Sequence, residues 1–278
     1  MTSRVGSVAY LRELFGAREL LSNLVLREVK GKYRRTLFGQ LWSLINPLAT
    51  MLVYTVVFSI IFRAQPPAGD PSGLDSYPLW LLAGLLPWMF FQRVVTEGLA
   101  SITSNAGLIK KVYFPRMTLP FAVTGSTGFT WSIEMGLLAA ALSIFGAFVL
   151  PWLPLVLVFM LLLALFATGL AMALAILTVY FRDTQHLTAI VMQLWMYLTP
   201  IIYPIEFVRT ASADHPWLFE LYRLNPMERF TSVFRELMYD NRFPDPVDAL
   251  WCVGWALLFF VGGFAIFRRF ERKLAVLL

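Results

Sequence analysis

Residues 41–62 form an unbroken run of twenty-two residues without a charge, and the segment leading into it is strongly basic. At about 1.5 Å per residue the run makes a helix of roughly 30 Å, the thickness of a bilayer's hydrocarbon core. Between positions 24 and 40 stand Arg27, Lys30, Lys32, Arg34 and Arg35 against a single acid, Glu28. Lys and Arg beside a span resist translocation, so they hold the near end of this helix on the cytoplasmic side. Composition extends the conclusion to the whole chain. Charged residues make up only 14% of it, against about 25% in soluble domains, and 58% of it is hydrophobic. The formal charge of +6 comes from cations that flank apolar runs instead of forming one patch. That distribution fits positive-inside topology and not a nucleic-acid surface.

Taken in order, the chain reads as a single all-α polytopic membrane domain, 1–278, with six transmembrane helices at about 38–62, 77–98, 118–148, 153–180, 187–205 and 248–267. Residues 1–37 are expected on the cytoplasmic side. Val8, Leu11, Leu14, Phe15, Leu21, Leu24 and Val25 recur there at helical spacing, which predicts an amphipathic helix lying in the interface or packed on a partner. No cleavable signal peptide is expected, because the first apolar run follows a long polar lead-in. Loop charges place 99–117, 181–186 and the end after 267 inside, and the cation-poor 63–76 and 206–247 outside. Both termini are then cytoplasmic. The apolar pieces within 206–247 are too short and too charged to span, and read as re-entrant or surface-lying outer helices. In the fourth span Ala167, Ala171 and Ala175 form a small-residue face suited to close packing.

The chemistry that a catalytic membrane protein would need is sparse. No phosphate-binding loop of the G-x-x-x-x-G-K-[ST] type occurs, so ATP is not bound in that way by this chain. One cysteine, Cys252, and two histidines, His186 and His215, give no metal-ligand pattern, and Cys252 reads as packing. Asp245 and Asp248 form a D-P-V-D pair that reads as a solvated loop and helix start. Glu134 is the one acid inside the third span; it either lines a pathway, pairs with another span, or is locally hydrogen-bonded. Trp42, Tyr54, Phe58, Trp88, Phe91, Trp195 and Tyr197 are candidates to line a channel for sugar chains, since aromatic rings stack on sugar faces. For any single one of them, an interfacial belt or lipid-facing bulk is the better account.

Several motifs together resemble the permease subunit of ABC-2 type exporters, in the branch that carries O-antigen, teichoic acid, capsule or galactan. The first is R-E-V-K-G-K-Y-R-R-T-L-F-G-Q-L-W-S-L-I-N-P, with Arg27, Tyr33, Thr36, Gly39, Trp42 and Pro47 in the matching positions. The second is N-A-G-L-I-K-K-V-Y-F-P-R-M-T-L-P, similar to that family's coupling helix at Asn105, Leu108, Ile109, Lys110, Phe114 and Pro115; Lys111 and Arg116 belong to the same segment. F-R-D at 181–183, T-P-I-I-Y-P, and L-N-P-M followed by F-R complete the likeness.

The resemblance implies a homodimer of six-span subunits, each seated on a separate nucleotide-binding subunit that holds ATP and Mg2+. It implies a multi-pass protein of the bacterial cytoplasmic (inner) membrane that needs no cofactor of its own. Residues 104–116 would dock into the ATPase, and helices within 206–247 would line the channel exit. The expected cargo is a polyprenyl-pyrophosphate-linked polysaccharide. Arg27, Lys30, Lys32, Arg34 and Arg35 either gather its headgroup or set topology and touch anionic lipid. The alternatives are an ABC-2 permease for a drug or lipid, a membrane enzyme acting on polyprenyl-linked sugars, and a passive channel.

Overall fold

The computed structural model describes residues 16–32, 36–63, 67–271 and 274. Among them every regular element is helical: α1 (Arg18–Lys32), α2 (Trp42–Tyr54), α3 (Tyr77–Ser104), α4 (Ala106–Lys111), α5 (Thr118–Ile144), α6 (Leu153–Tyr180), α7 (Thr184–Tyr197), α8 (Ile205–Ala211), α9 (Pro216–Tyr222), α10 (Pro226–Arg235) and α11 (Pro246–Phe270). A π-helical stretch, Thr55–Ile61, continues α2, and another, Glu236–Asp240, continues α10. Proline opens α3, α6, α9, α10 and α11 within their first two positions, where its missing N–H is no loss and its fixed φ suits the helix.

Among the described residues, five helices are long and apolar enough to cross a membrane: Trp42–Ile61, Tyr77–Lys111, Thr118–Ile144, Leu150–Tyr180 and Pro246–Phe270. The expected third span stops at Ile144 instead of 148, because Gly146 takes a φ of +102° and turns the chain. The expected second span continues past 98 to Ser104. At 28 residues, about 42 Å, α3 overshoots a hydrocarbon core and carries α4 out of it.

The segment expected as the fifth span, 187–205, has a different form. Its helix, α7, has 14 residues, about 21 Å, and the chain leaves helical geometry at 198–204 before α8 begins. Pro200 and Pro204 explain the break, since each lacks an N–H and disfavours helix at the residue before it.

The core is built around α3, whose faces are covered by α5, α6 and α10. Phe91 stacks on Phe166 at 5.1 Å between ring centres and meets Trp195 edge-on at 5.2 Å; Phe166 continues to Phe230 at 5.9 Å and Phe259 at 4.9 Å. Ala167, Ala171 and Ala175 are fully buried, and a side-chain carbon at Gly98 would come within 2.7 Å of the Ala171 methyl. The alanine face therefore works as packing. Cys252 is buried and free.

Where α6 crosses α11 the backbones touch. A Cβ on Gly169 would lie 2.2 Å from the Phe259 carbonyl oxygen, and one on Gly263 would lie 2.0 Å from the Gly169 carbonyl oxygen. By contrast α2 buries only Ser43 and Pro47, and its π-helical continuation buries nothing.

Candidate functional site

Two regions concentrate polar chemistry, one at each end of the bundle. At the basic end, α4 follows α3 after a single-residue break at Asn105. Asn105 holds that break in place: its amide donates to the Ser101 carbonyl at 2.9 Å, and its side-chain oxygen accepts from Arg27 of α1 at 2.8 Å. About two turns inward along α3, Lys32 of α1 reaches both Glu97 oxygens, at 2.7 and 3.0 Å. Arg27 and Lys32, expected to meet a lipid headgroup, thus fasten α1 to the end of α3. Lys30 is exposed, whereas Arg34 and Arg35 lie outside the described residues.

Ile109 and Phe114 were expected on the partner-docking face, and the structure places them inward. Both are buried in an apolar cluster with Leu24, Ile102, Met117 and Phe267. In a six-residue helix only one side can anchor the loop, and here the larger apolar side chains do so. Pro115 is buried as well, Leu108 is half-buried, and Arg116 is held through its backbone N–H and its guanidinium by Glu271. The face presented outward consists of Gly107, Lys110, Lys111, Val112 and Tyr113, the last 89% exposed.

The channel candidates also divide. Trp88 and Phe91 are wholly buried within the subunit, so neither lines an open pathway; their ring contacts belong to the core. Trp195 is half-buried with its indole N–H committed to Asn225 at 2.7 Å. Trp42 and Tyr197 are exposed, and Tyr54 and Phe58 are partly so, all on α2 and α7. Glu134 is buried and accepts from Arg93 of α3 at 2.9 Å, an inter-span pair. The sequence pointed only to some partner for a membrane acid; the structure names it as Arg93. Glu134→Leu alone is expected to lower stability by about 3–5 kcal/mol, and Arg93→Met/Glu134→Leu together by far less, since the cost lies in the unpaired charge. Thermal unfolding in detergent compares the two variants; equal losses would contradict the pairing.

At the opposite end, α8, α9 and α10 fold over the break that follows α7. α10 is re-entrant: Met227, Phe230, Val233 and Phe234 are buried against α3, α6 and α11. Asn225 starts it. Its side-chain oxygen caps the Met227 N–H at 3.0 Å while its amide donates to the Leu198 carbonyl and Thr199 hydroxyl, both at 3.0 Å.

Arg235, the arginine of the F-R that follows L-N-P-M, ends α10; the motif gave it no role. Its guanidinium donates to the Pro200 and Ile201 carbonyls at 2.6 Å each and, more weakly, to the Trp80 carbonyl at 3.4 Å; it stacks over the Trp80 ring at 3.5 Å. Gly84 makes room for it, since a Cβ there would sit 2.8 Å from an arginine nitrogen.

The D-P-V-D pair starts a helix, as expected, but only its first member is solvated. Asp245 caps α11, but Asp248 is buried and paired with both Arg223, just after α9, and Arg229 of α10. Beside them Glu228 is fully buried, and that burial pushes its carboxyl up to about 7.

A family model for the ABC-2 type transporter matches residues 19–239, from α1 to the end of the re-entrant segment. The chain belongs to that family. Among relatives, the O-antigen export system permease protein RfbA of Myxococcus xanthus is 32% identical over 266 residues, covering 95% of this chain and 98% of its own. The protein of the same name from Klebsiella pneumoniae is 27% identical over 262 residues, 94% and 95% of the two chains. The polysialic acid transport protein KpsM of Escherichia coli is 22% identical over 255 residues, 90% and 93%. Within the ABC-2 match lie the basic-end loop and α10, whereas α11, which supplies Asp248, falls beyond it.

Proposed function

We propose that this chain is the permease subunit of an ABC exporter carrying an O-antigen- or capsule-type polysaccharide out across the bacterial inner membrane. The observation that carries the reading is similarity over nearly the full length to permeases named for O-antigen and polysialic acid export. The basic end is cytoplasmic, and a separate ATPase binding ATP and Mg2+ docks on the outward face of Lys110, Lys111, Val112 and Tyr113. Movement of α4 passes to α3, of which it is nearly a continuation, and through Asn105–Arg27 to α1.

The subunit works as a homodimer. The exposed apolar residues Leu48, Leu52, Val56 and Ile60 on α2, with Leu187, Ile190, Val191 and Leu194 on α7, supply a face for a second copy. Tyr54, Phe58 and Tyr197 then lie beside a channel between subunits. Lys30, with Arg34 and Arg35, gathers the pyrophosphate of a polyprenyl carrier at the inner leaflet. The Asp245–Asp248 pair, on which an enzymatic reading would depend, is taken up by a helix cap and two arginines.

The test is co-purification from mild detergent with an ATPase assay. Lys110→Glu/Lys111→Glu/Tyr113→Ala is expected to leave the chain folded and cut ATPase association about tenfold or more. Phe114→Ala is expected to lower the chain's own stability by about 3–5 kcal/mol, because the ring is in the core. A chain that purifies without any ATPase, and whose loss leaves surface polysaccharide unchanged, would refute the reading.

A further inference from the structure

Where α6 and α11 end, an apolar groove of about 420 Å³ runs between them. Its volume falls within the usual range of small-ligand pockets, about 300–1,000 Å³. Leu174, Leu177 and Tyr180 of α6 form one wall, and Ile266 and Phe270 of α11 form the other. This is the basic end of the bundle, because Phe267 packs with Ile109 and Phe114, and Glu271 holds Arg116. From Leu174 to Tyr180 the groove runs about 9 Å along the helix axis. The Tyr180 and Phe270 rings meet edge-on across it with centres 6.1 Å apart, each on the last residue of its helix. Leu177, Tyr180 and Ile266 are all exposed, so the chain itself leaves the groove open.

Beyond that ring pair the chain turns positive. Arg269 lies three residues past Ile266, on the same side of α11, with its guanidinium 5.8 Å from the centre of the Phe270 ring. Arg182 follows Tyr180 by two residues, within about 7 Å of it along the chain. Both arginines are exposed, and neither pairs with a carboxylate among the described residues. Of the neighbouring acids, Glu271 is engaged by Arg116, which leaves Asp183 against the two cations.

Shape and charge together select the occupant. Two unpaired guanidinium groups at the mouth of an apolar groove suit a phosphate carried on an acyl chain. A zwitterionic headgroup would set its own ammonium beside those arginines, whereas a phosphodiester with a neutral glycerol headgroup brings no such repulsion. We propose that this groove is a binding site for an anionic phospholipid, with one acyl chain along Leu174, Leu177 and Ile266 and its phosphate on Arg182 and Arg269. Basic pockets between membrane helices hold anionic headgroups by the same physics. The inference requires only that the chain spans a membrane, and it stands whatever the cargo.

The experiment is photocrosslinking of the full chain, purified with its accompanying subunits into phosphatidylcholine nanodiscs and mapped by peptide mass spectrometry. The probe is phosphatidylglycerol carrying a diazirine part-way along one acyl chain. Unlabelled phosphatidylglycerol, cardiolipin, phosphatidylcholine and undecaprenyl pyrophosphate serve as competitors. Label is expected on 173–180 and 266–270, displaced about tenfold better by phosphatidylglycerol or cardiolipin than by phosphatidylcholine. Arg182→Gln/Arg269→Gln is expected to abolish that preference, and Arg182→Lys/Arg269→Lys to keep most of it, since the charge remains. Leu177→Trp, at an exposed position in the groove wall, is expected to remove the label while the protein elutes as the parent does. Four results would overturn the site: label spread evenly over the exposed faces of α2, α5 and α11, a preference that survives both Gln substitutions, undiminished label in Leu177→Trp, or displacement by undecaprenyl pyrophosphate ahead of phosphatidylglycerol. The last would assign the groove to a lipid carrier instead.

Discussion

Gly169→Leu is expected to abolish recovery of folded protein, and Gly263→Leu to do the same. Neither position has room even for a methyl group: the atoms a Cβ would strike are carbonyl oxygens of the facing helix, 2.2 and 2.0 Å away, and backbone cannot rotate aside as a side chain can. Overpacking a core costs about 1–3 kcal/mol when side chains can shift, and here two spans would have to separate along their whole contact. Gly262, next to Gly263 on α11, has nothing within 4 Å of where its Cβ would be. Gly262→Ala is therefore expected to be neutral or to add up to about 1 kcal/mol through helix propensity. Fluorescence-detected size-exclusion chromatography separates these outcomes. A monodisperse Gly169→Leu peak at normal yield would show that α6 and α11 do not meet as described.

Arg235→Met is expected to be nearly as damaging, for an electrostatic reason. It strips the donors from two carbonyls at the break after α7 and from the Trp80 carbonyl. Each buried group left unsatisfied costs about 1–3 kcal/mol, and the stacking on Trp80 is lost as well. Arg235→Lys is expected to rescue only part of the loss, because an ammonium cannot present the same planar fork to three acceptors. Gly84→Ala should destabilise in the same direction but by less, since its methyl would crowd the guanidinium at 2.8 Å without removing it. Thermal unfolding of the four proteins in one detergent is the measurement. An Arg235→Met midpoint equal to the parent's would end the argument.

What could be read from the chain beforehand depended on how local the determining physics was. The all-helical membrane architecture follows from hydropathy, which needs no knowledge of neighbours. α6 runs from 153 to 180 as expected because its apolar run has prolines before it and F-R-D after it. The two prolines of T-P-I-I-Y-P were visible as the end of a span. That they end it half-way, with the freed carbonyls answered by Arg235, depends on a residue 34 and 35 positions later in sequence. The aromatics of α3 show a similar limit. Trp88 and Phe91 suit a sugar channel by type, but only the facing Phe166 and Trp195 reveal that they point into the subunit. In the loop at 105–116, composition identified the segment. Its apolar residues divide between anchor and outward face only once Leu24 and Phe267 are beside it.

The π-helical stretch at Thr55–Ile61 gives α2 a phase offset. A π-bulge accommodates one residue more than α-helical winding would, so side chains before and after it fall on stripes about one residue, roughly 100°, out of step. Tyr54 and Phe58 lean on the core at this point, while Trp42, more than three turns upstream, is carried on a separate stripe. Removing one residue from 55–61 would hardly shorten the helix. It would, however, turn the whole upstream half, with its attached basic segment, to face a different neighbour.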